Sequence, residues 1–304
     1  MKKLRMGTRG SALALAQSLA IAEQVRHQHK IEVEIVVVKT AGDQLSERGQ
    51  SALSAGQGQG VFTKELEEAL LGATIDCAVH SFKDMATSMP KELVVAAIPK
   101  RASPEDCWVS LSSKNWSDAA KNLVVGTSSL RRQIQLRALR PDFEIVSLRG
   151  NLDTRLGKLE NGETGAIVVA IAGIERLLLK SQKNKFNFYK IPVEQMVPAP
   201  AQGALALQVR RADLQTQQWL SFLEDAPTRT IVECERHFLR TLQAGCSAPV
   251  GAYAVLEKNT IILEGLMGSW DLQKMLRRKV SAAVTDAAAL AEKLAREFLK
   301  EIRL

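Results

Sequence analysis

Three segments of this 304-residue chain place arginine where a helix is expected to begin. Thr8-Arg9-Gly10-Ser11 leads into the first, and Gly126-Thr127-Ser128-Ser129-Leu130-Arg131-Arg132 opens the second. Arg149-Gly150-Asn151, with Arg155 one turn further on, opens the third. The start of a helix carries unpaired N–H groups and a partial positive charge, which makes it an anion site. Arginine there opposes the dipole and destabilises the helix unless an anion or a partner acid is present. At one junction, capping by Ser or Asn with the arginine paired to a surface acid is explanation enough. Three junctions together point to a ligand with several carboxylates or phosphates, gripped by guanidinium forks.

Two further segments carry reactive side chains. His80-Ser81-Phe82-Lys83-Asp84 follows an apolar strand pattern. An acid at the carboxyl end of a strand, kept ionised by neighbouring Lys and Arg, can stabilise a developing cation or pass a proton. On spacing alone a solvated Lys83/Asp84 turn is the simpler reading. Gly245-Cys246-Ser247-Ala248-Pro249 sets a thiol in a loop between a helix and a strand, open to covalent attachment. Buried, inert cysteine is the usual alternative, and no His/Asp constellation accompanies Cys246. Cys77, Cys107 and Cys234 fall on strand or helix patterns and read as core. No Cys-x-x-Cys or His-Glu-x-x-His spacing occurs, so no metal site is expected.

The elements that must position these residues alternate. Strands are expected at 3–8, 32–39, 75–79 and 93–98, with helices over 11–28 and around Leu66 to Leu70. From Asp106 a second unit repeats the pattern, with strands at 123–126, 143–148 and 166–170 and helices over 130–139 and 152–159. Such alternation predicts α/β architecture with mainly parallel sheets, and ligands then bind beyond the carboxyl ends of the strands. Prolines at 99–104 and 192–200 bracket the second unit. A helix over 228–243, strands at 251–256, 260–267 and 274–283, and a helix over 287–302 make a small α+β tail. The glycine-rich stretch 43–60 reads equally as a surface loop and as a functional one.

Composition narrows the class. With 46% hydrophobic and 24% charged residues, the chain is neither disordered nor membrane-spanning. The net charge of +8 permits polyanionic ligands. Only 5% of residues are aromatic and no basic run is interleaved with them, so single-stranded nucleic acid is a weak partner. The basic, Ala/Leu-rich N-terminus is similar to an export signal. Arg9, Gly10 and Gln17 interrupt it, and apolar positions at 15, 19, 22 and 25 mark an amphipathic helix instead. A cytoplasmic protein is expected.

Taken in order, Thr8 to Ala14, Val61 to Leu66, His80 to Asp84, Val125 to Arg132, Leu148 to Leu156 and the Gly245-Cys246 loop resemble the porphobilinogen deaminase (hydroxymethylbilane synthase) family over essentially the whole chain. The resemblance implies two periplasmic-binding-protein-like lobes with a cleft between them, plus a small C-terminal α+β domain. It implies a discontinuous first domain at 1–99 and 203–222, a second at 104–198 and a third at 226–304; Gln202 and Gly203 match the segment where the chain returns to the first lobe. It implies a transferase of tetrapyrrole (haem) biosynthesis that joins four porphobilinogen units head to tail into 1-hydroxymethylbilane, releasing four ammonia. A dipyrromethane cofactor is implied, attached through Cys246 and contacted by Lys83, Ser129, Arg131, Arg132 and Arg155. Asp84 matches the catalytic acid. Arg9, Ser11, Arg149, Arg155 and Arg176 match substrate contacts, and a monomer without nucleic-acid or membrane partners is the family's usual form. The alternative is a two-lobed polyanion-binding protein without catalysis, which gives Asp84 and Cys246 no role.

Four positions depart from the family pattern. Gln59 stands where Lys is common, Ala86 where Pro follows the Lys-Asp pair, Ala201 where Gly precedes Gln202, and Gln208 where Glu is common. None removes the acid, the arginines or the cysteine.

Overall fold

The computed structural model describes residues 3–40, 63–178, 185–245 and 247–302. Its first sheet is assembled from β1 (Lys3–Thr8), β2 (Glu32–Val37), β3 (Cys77–Ser81), β4 (Leu93–Ala97) and a late strand, β10 (Leu205–Arg210). The order is β2-β1-β3-β10-β4. β1 runs parallel to β2 and β3, whereas β10 runs antiparallel to β3 and β4.

Helix α1 (Ala12–His29) begins where the Ser11 hydroxyl accepts from the Ala14 N–H and ends at Lys30 in the left-handed region. Its Ile21, Ala22 and Val25 pack with Leu4, Met6, Val79 and Leu207. On the other side, α2 (Lys64–Leu71) buries Leu66 and Leu70 against Ile75, Ala78 and Leu93. The approach is close: a Cβ on Gly7 would meet Ile75 Cδ1 at 2.3 Å and Leu66 Cδ2 at 3.2 Å.

A second sheet holds β5 (Asp106–Ser110), β6 (Val124–Gly126), β7 (Glu144–Val146), β8 (Ala166–Ala170) and β9 (Asn187–Ile191), ordered β7-β6-β8-β5-β9. Helices α3 (Leu130–Leu139), α4 (Leu152–Glu160) and α5 (Ile171–Leu178) follow β6, β7 and β8, which lie side by side in parallel. Helix α6 (Leu214–Leu220) then follows β10, and α7 (Ala226–Thr241) leads to the last sheet. There β11 (Val250–Glu257), β12 (Thr260–Gly268) and β13 (Met275–Ala283) form an antiparallel meander, closed by α8 (Ala287–Glu301). Phe238 of α7 and Phe298 of α8 meet edge to face at 5.7 Å in that core.

Through-space contacts divide the chain into two units, Met1–Ala102 with Ala204–Arg229 and Ser103–Gly203 with Thr230–Leu304. Among the described residues, no helix is long and apolar enough to cross a membrane.

The alternating pattern is present, and the two large sheets are mainly parallel, as expected. In each large sheet four of the five strands run the same way, and a single strand, β10 in the first and β5 in the second, lies antiparallel to both of its neighbours. The strand expected at 75–79 spans 77–81, because Ile75 packs sideways under α2 while Asp76 is tied to Arg5. Most of the 43–60 stretch's neighbourhood, and all of the stretch itself with Gln59, lies outside the described residues.

Candidate active site

The carboxyl edge of the first sheet collects one group of the expected residues. β1 and β3 lie side by side in parallel, with Met6 opposite Cys77 and Gly7 opposite Ala78. The turn Arg9–Ser11 and the segment after Ser81 therefore leave the sheet at the same edge. Phe82–Asp84 forms a single 3-10 turn. It is pinned by the Phe82 N–H on the Ala204 carbonyl (3.0 Å) and by the Met85 N–H on the Phe82 carbonyl (3.3 Å). Phe82 and Met85 are buried, which leaves Lys83 and Asp84 half-buried at the surface. Among the described residues the Asp84 carboxylate makes no hydrogen bond or ion pair. Arg9 and Ser11 are also half-buried, and Ser11 serves as the α1 cap.

The second sheet gathers the remaining candidates. Its parallel strands end at Gly126, Val146 and Ala170, so the segments holding Ser129, Arg149 and Arg176 leave from one edge. β5 is antiparallel and begins at Asp106, opposite Ala170, which puts Asp106 at that edge too. Asp106 is fully buried. Arg131 Nη1 donates to it at 2.6 Å, Arg132 Nη2 at 2.7 Å and Nε at 3.0 Å, and Gln202 Nε2 at 2.9 Å. Burial alone pushes the Asp106 carboxyl up, but the two guanidinium charges overcome it and hold the group well below the usual carboxylate range. Burial lowers Arg131, and the charge of Asp106 opposes that shift.

Arg131 also donates to the Val197 carbonyl and Arg132 to the Val168 carbonyl. Ser129 caps α3, its hydroxyl accepting from the Arg132 N–H at 3.4 Å. Arg155 Nε donates to the Gly150 carbonyl at 2.8 Å, and Gly150 sits at φ +111 where a side chain would be strained. Arg176 Nη2 donates to the Gly203 carbonyl at 2.9 Å. Arg149 is half-buried and, among the described residues, makes no hydrogen bond or ion pair.

The acid that an arginine-bearing helix start demands is thus Asp106 at the second junction. The sequence reading used it only to mark where the second unit begins. Gln202 shows in the sequence only as part of a chain return, and its amide bond to Asp106, 96 positions away, carries no local signal. Cys246 lies outside the described residues.

Two guanidiniums share one carboxylate here, so the cluster keeps a surplus positive charge. Each guanidinium has five N–H donors, of which Arg131 and Arg132 each make three of the hydrogen bonds found among the described residues. Arg149, Arg155 and Arg176 add three more cations at the same edge. This donor set fits a carboxylate-bearing prosthetic group such as a dipyrromethane, whose pyrroles each carry acidic side chains.

An α/β scaffold whose second sheet sets several arginines at one edge defines the class as a protein that binds carboxylate-bearing ligands. Comparison with known proteins supplies the particulars. Residues 4–218 match the family model "Porphobilinogen deaminase, dipyromethane cofactor binding domain", and residues 230–300 match "Porphobilinogen deaminase, C-terminal domain". The porphobilinogen deaminase of Syntrophus aciditrophicus is 41% identical over 297 residues, covering 97% of this chain and 95% of that one. That of Thermus thermophilus is 41% identical over 303 residues, covering 99% and 97%. A periplasmic binding protein of Salmonella typhimurium with high arginine specificity is a distant structural likeness, at 12% identity and a TM-score of 0.40, covering 75% of this chain and 94% of that chain. The chain belongs to the porphobilinogen deaminase family. It is a dipyrromethane-dependent transferase of tetrapyrrole biosynthesis, and its reaction is that of hydroxymethylbilane synthase.

Proposed function

We propose that Asp84 is the catalytic acid and base of this reaction, in which four porphobilinogen molecules lose ammonia and join head to tail to give 1-hydroxymethylbilane. The observation that carries the assignment is its carboxylate, held at the end of β3 by buried neighbours and left without a protein partner among the described residues. Departure of ammonia leaves a cation on the incoming pyrrole, and a carboxylate beside it stabilises that charge and relays the pyrrole protons.

Lys83, Ser129, Arg131, Arg132 and Arg155 hold the dipyrromethane by its carboxylates, and Cys246 anchors it through a thioether. When bound, that group supplies the pyrrole carbon to which the first substrate is joined. Arg131 and Arg132 act through the surplus charge they keep over Asp106. Arg9, Ser11, Arg149, Arg155 and Arg176 bind the acetate and propionate groups of porphobilinogen, Arg149 being the readiest because no described residue occupies it. Three domains, 1–99 with 203–222, 104–198 and 226–304, are the units of the working protein. It acts as a cytoplasmic monomer without nucleic-acid or membrane partners. The departures Ala86, Ala201 and Gln208 are compatible with this reading, since none touches Asp84 or the arginines through its side chain in the hydrogen bonds described.

Intact mass tests the anchor. The purified protein should exceed its polypeptide mass by two deaminated pyrrole units, and the Cys246→Ser variant should not. A polypeptide mass unchanged even after incubation with porphobilinogen would overturn the assignment and favour a non-catalytic polyanion-binding protein.

A further inference from the structure

His80 has no part in the roles assigned above. It lies four residues before Asp84, on the face of β3 turned toward α2, and is only 4% exposed. β3 and β10 pair antiparallel with Ala206 opposite His80 and Gln208 opposite Ala78. Gln208 is therefore a diagonal neighbour on the same face, within reach of the imidazole. His80 Nε2 and Gln208 Oε1 are 3.0 Å apart. On its other side the Gln208 amide nitrogen donates to Glu67 Oε1 of α2 at 3.0 Å, with Met89 Sδ at 3.9 Å.

Donor counting fixes the proton. Burial raises the Glu67 carboxyl and the Gln208 bond opposes that; against the ionised carboxylate a reversed amide would set carbonyl on carboxylate, so the nitrogen stays on Glu67 and the carbonyl stays on His80. A carbonyl only accepts, so Nε2 must carry the hydrogen. A neutral imidazole has one N–H, and Nδ1 then keeps its lone pair. Burial pushes His80 down to about 4; the Gln208 bond opposes this and the charge of Arg9 adds to it. The charged groups around the ring are Arg9 from the turn after β1, Glu67 from α2 acting through the amide, and Lys83 and Asp84 further along its own segment. β10 presents the neutral Gln208. α1 packs on the opposite face, where Gln17 accepts from the Ser81 hydroxyl.

We propose that Glu67 and Gln208 are a positioning pair that holds His80 as a neutral Nε2–H imidazole behind Asp84, leaving Asp84 as the group at this edge that changes protonation in turnover. A carboxylate at position 208 would instead pair with the ring and draw a second proton onto it. The proposal rests on the role given to Asp84 for its kinetic readout only; the tautomer is a property of the resting protein.

The test is nitrogen NMR of the holoenzyme labelled with 15N-histidine, the His80 signals being those lost in His80→Asn. The expected spectrum shows a pyrrole-type Nε2 and a pyridine-type Nδ1, with no titration between about pH 5 and 8. A proton on Nδ1, or an imidazolium at pH 7, overturns the proposal. In Gln208→Glu the ring should titrate within that window, and kcat should acquire a step at the ring's own midpoint with KM little changed, because the pair's net charge changes by one there. An imidazolium in that variant with the parent's kcat–pH profile overturns the link to Asp84. Glu67→Gln, at a half-buried site, frees the amide to reverse and should give a mixture of both tautomers; a single unchanged tautomer counts against the pair. Absence of porphobilinogen turnover in the parent would overturn the activity rather than the tautomer, which is read without turnover.

Discussion

Asp84 and Asp106 are both carboxylates at the carboxyl edge of a five-stranded sheet, and they are used in opposite ways. Asp106 is fully buried and takes donors from Arg131, Arg132 and Gln202. Asp84 is half-buried and takes none among the described residues. The difference originates in strand direction. Asp106 opens an antiparallel strand wedged between β8 and β9, so its side chain points into packed sheet. Asp84 follows the end of a parallel strand on a 3-10 turn whose buried Phe82 and Met85 push the residues between them outward. A carboxylate saturated by guanidiniums organises the site, whereas one left unsaturated is available to a reacting cation.

The contrast breaks most sharply under isosteric amides. Asp84→Asn should fold normally and lose turnover by about 10²–10⁴-fold; a variant that turns over at the parent rate removes Asp84 from the chemistry. Asp106→Asn should instead destabilise the protein by about 3–5 kcal/mol in denaturant melts, since it strands two buried cations. Because the folded Asp106 titrates below its unfolded value, its contribution is complete above about pH 4 and is lost as pH falls below that. Parent and Asp106→Asn stabilities should therefore converge in acid, and a constant gap down to pH 2 would show that the carboxylate's charge is not what matters.

His80 sharpens the comparison from the first sheet. Its folded pKa of about 4 lies below the unfolded value near 6.5. The unfolded chain thus binds the extra proton, and stability should rise by about 3 kcal/mol as pH increases from about 4 to 6.5. His80→Asn should flatten that slope, and an unchanged slope would assign it to other groups.

The smallest effect concerns the segment that supplies Gln202. Ala201 is buried at φ +60, with its N–H donating to Glu235 Oε2 at 2.7 Å. A side chain in that region costs about 1–2 kcal/mol, part of which glycine returns as entropy. Ala201→Gly should therefore stabilise the protein by about 0.5–1 kcal/mol in the same melts, with holoenzyme content unchanged.

Much of this was legible in the residues. Alternation located α1, α3 and α4 within a residue or two, because their flanking strands are short apolar runs punctuated by glycine and serine. The positions of Arg9, Ser129, Arg131, Arg149 and Asp84 at helix starts and a strand end followed from those elements. What escaped the residue pattern were the strands β5, β9 and β10, although the family resemblance returned 203–222 to the first domain. Asp-Cys-Trp-Val-Ser and Leu-Ala-Leu-Gln-Val-Arg are too short to show a period, and their antiparallel direction is set by partners far away in the chain. For the same reason the bond from Arg132 to Asp106 spans 26 positions and that from His80 to Gln208 spans 128, separations at which one sequence carries no pairing signal.

The late arrival of β10 has a consequence for synthesis. It occupies the place between β3 and β4, yet it follows them by more than a hundred residues. While the ribosome is still making the second sheet, the nascent first sheet has an unfilled slot, with the backbone groups of β3 and β4 open to any passing strand. The first unit can close only after residue 210 has emerged. Until then the growing chain needs protection from its neighbours, and a fragment ending at residue 102 should aggregate rather than fold.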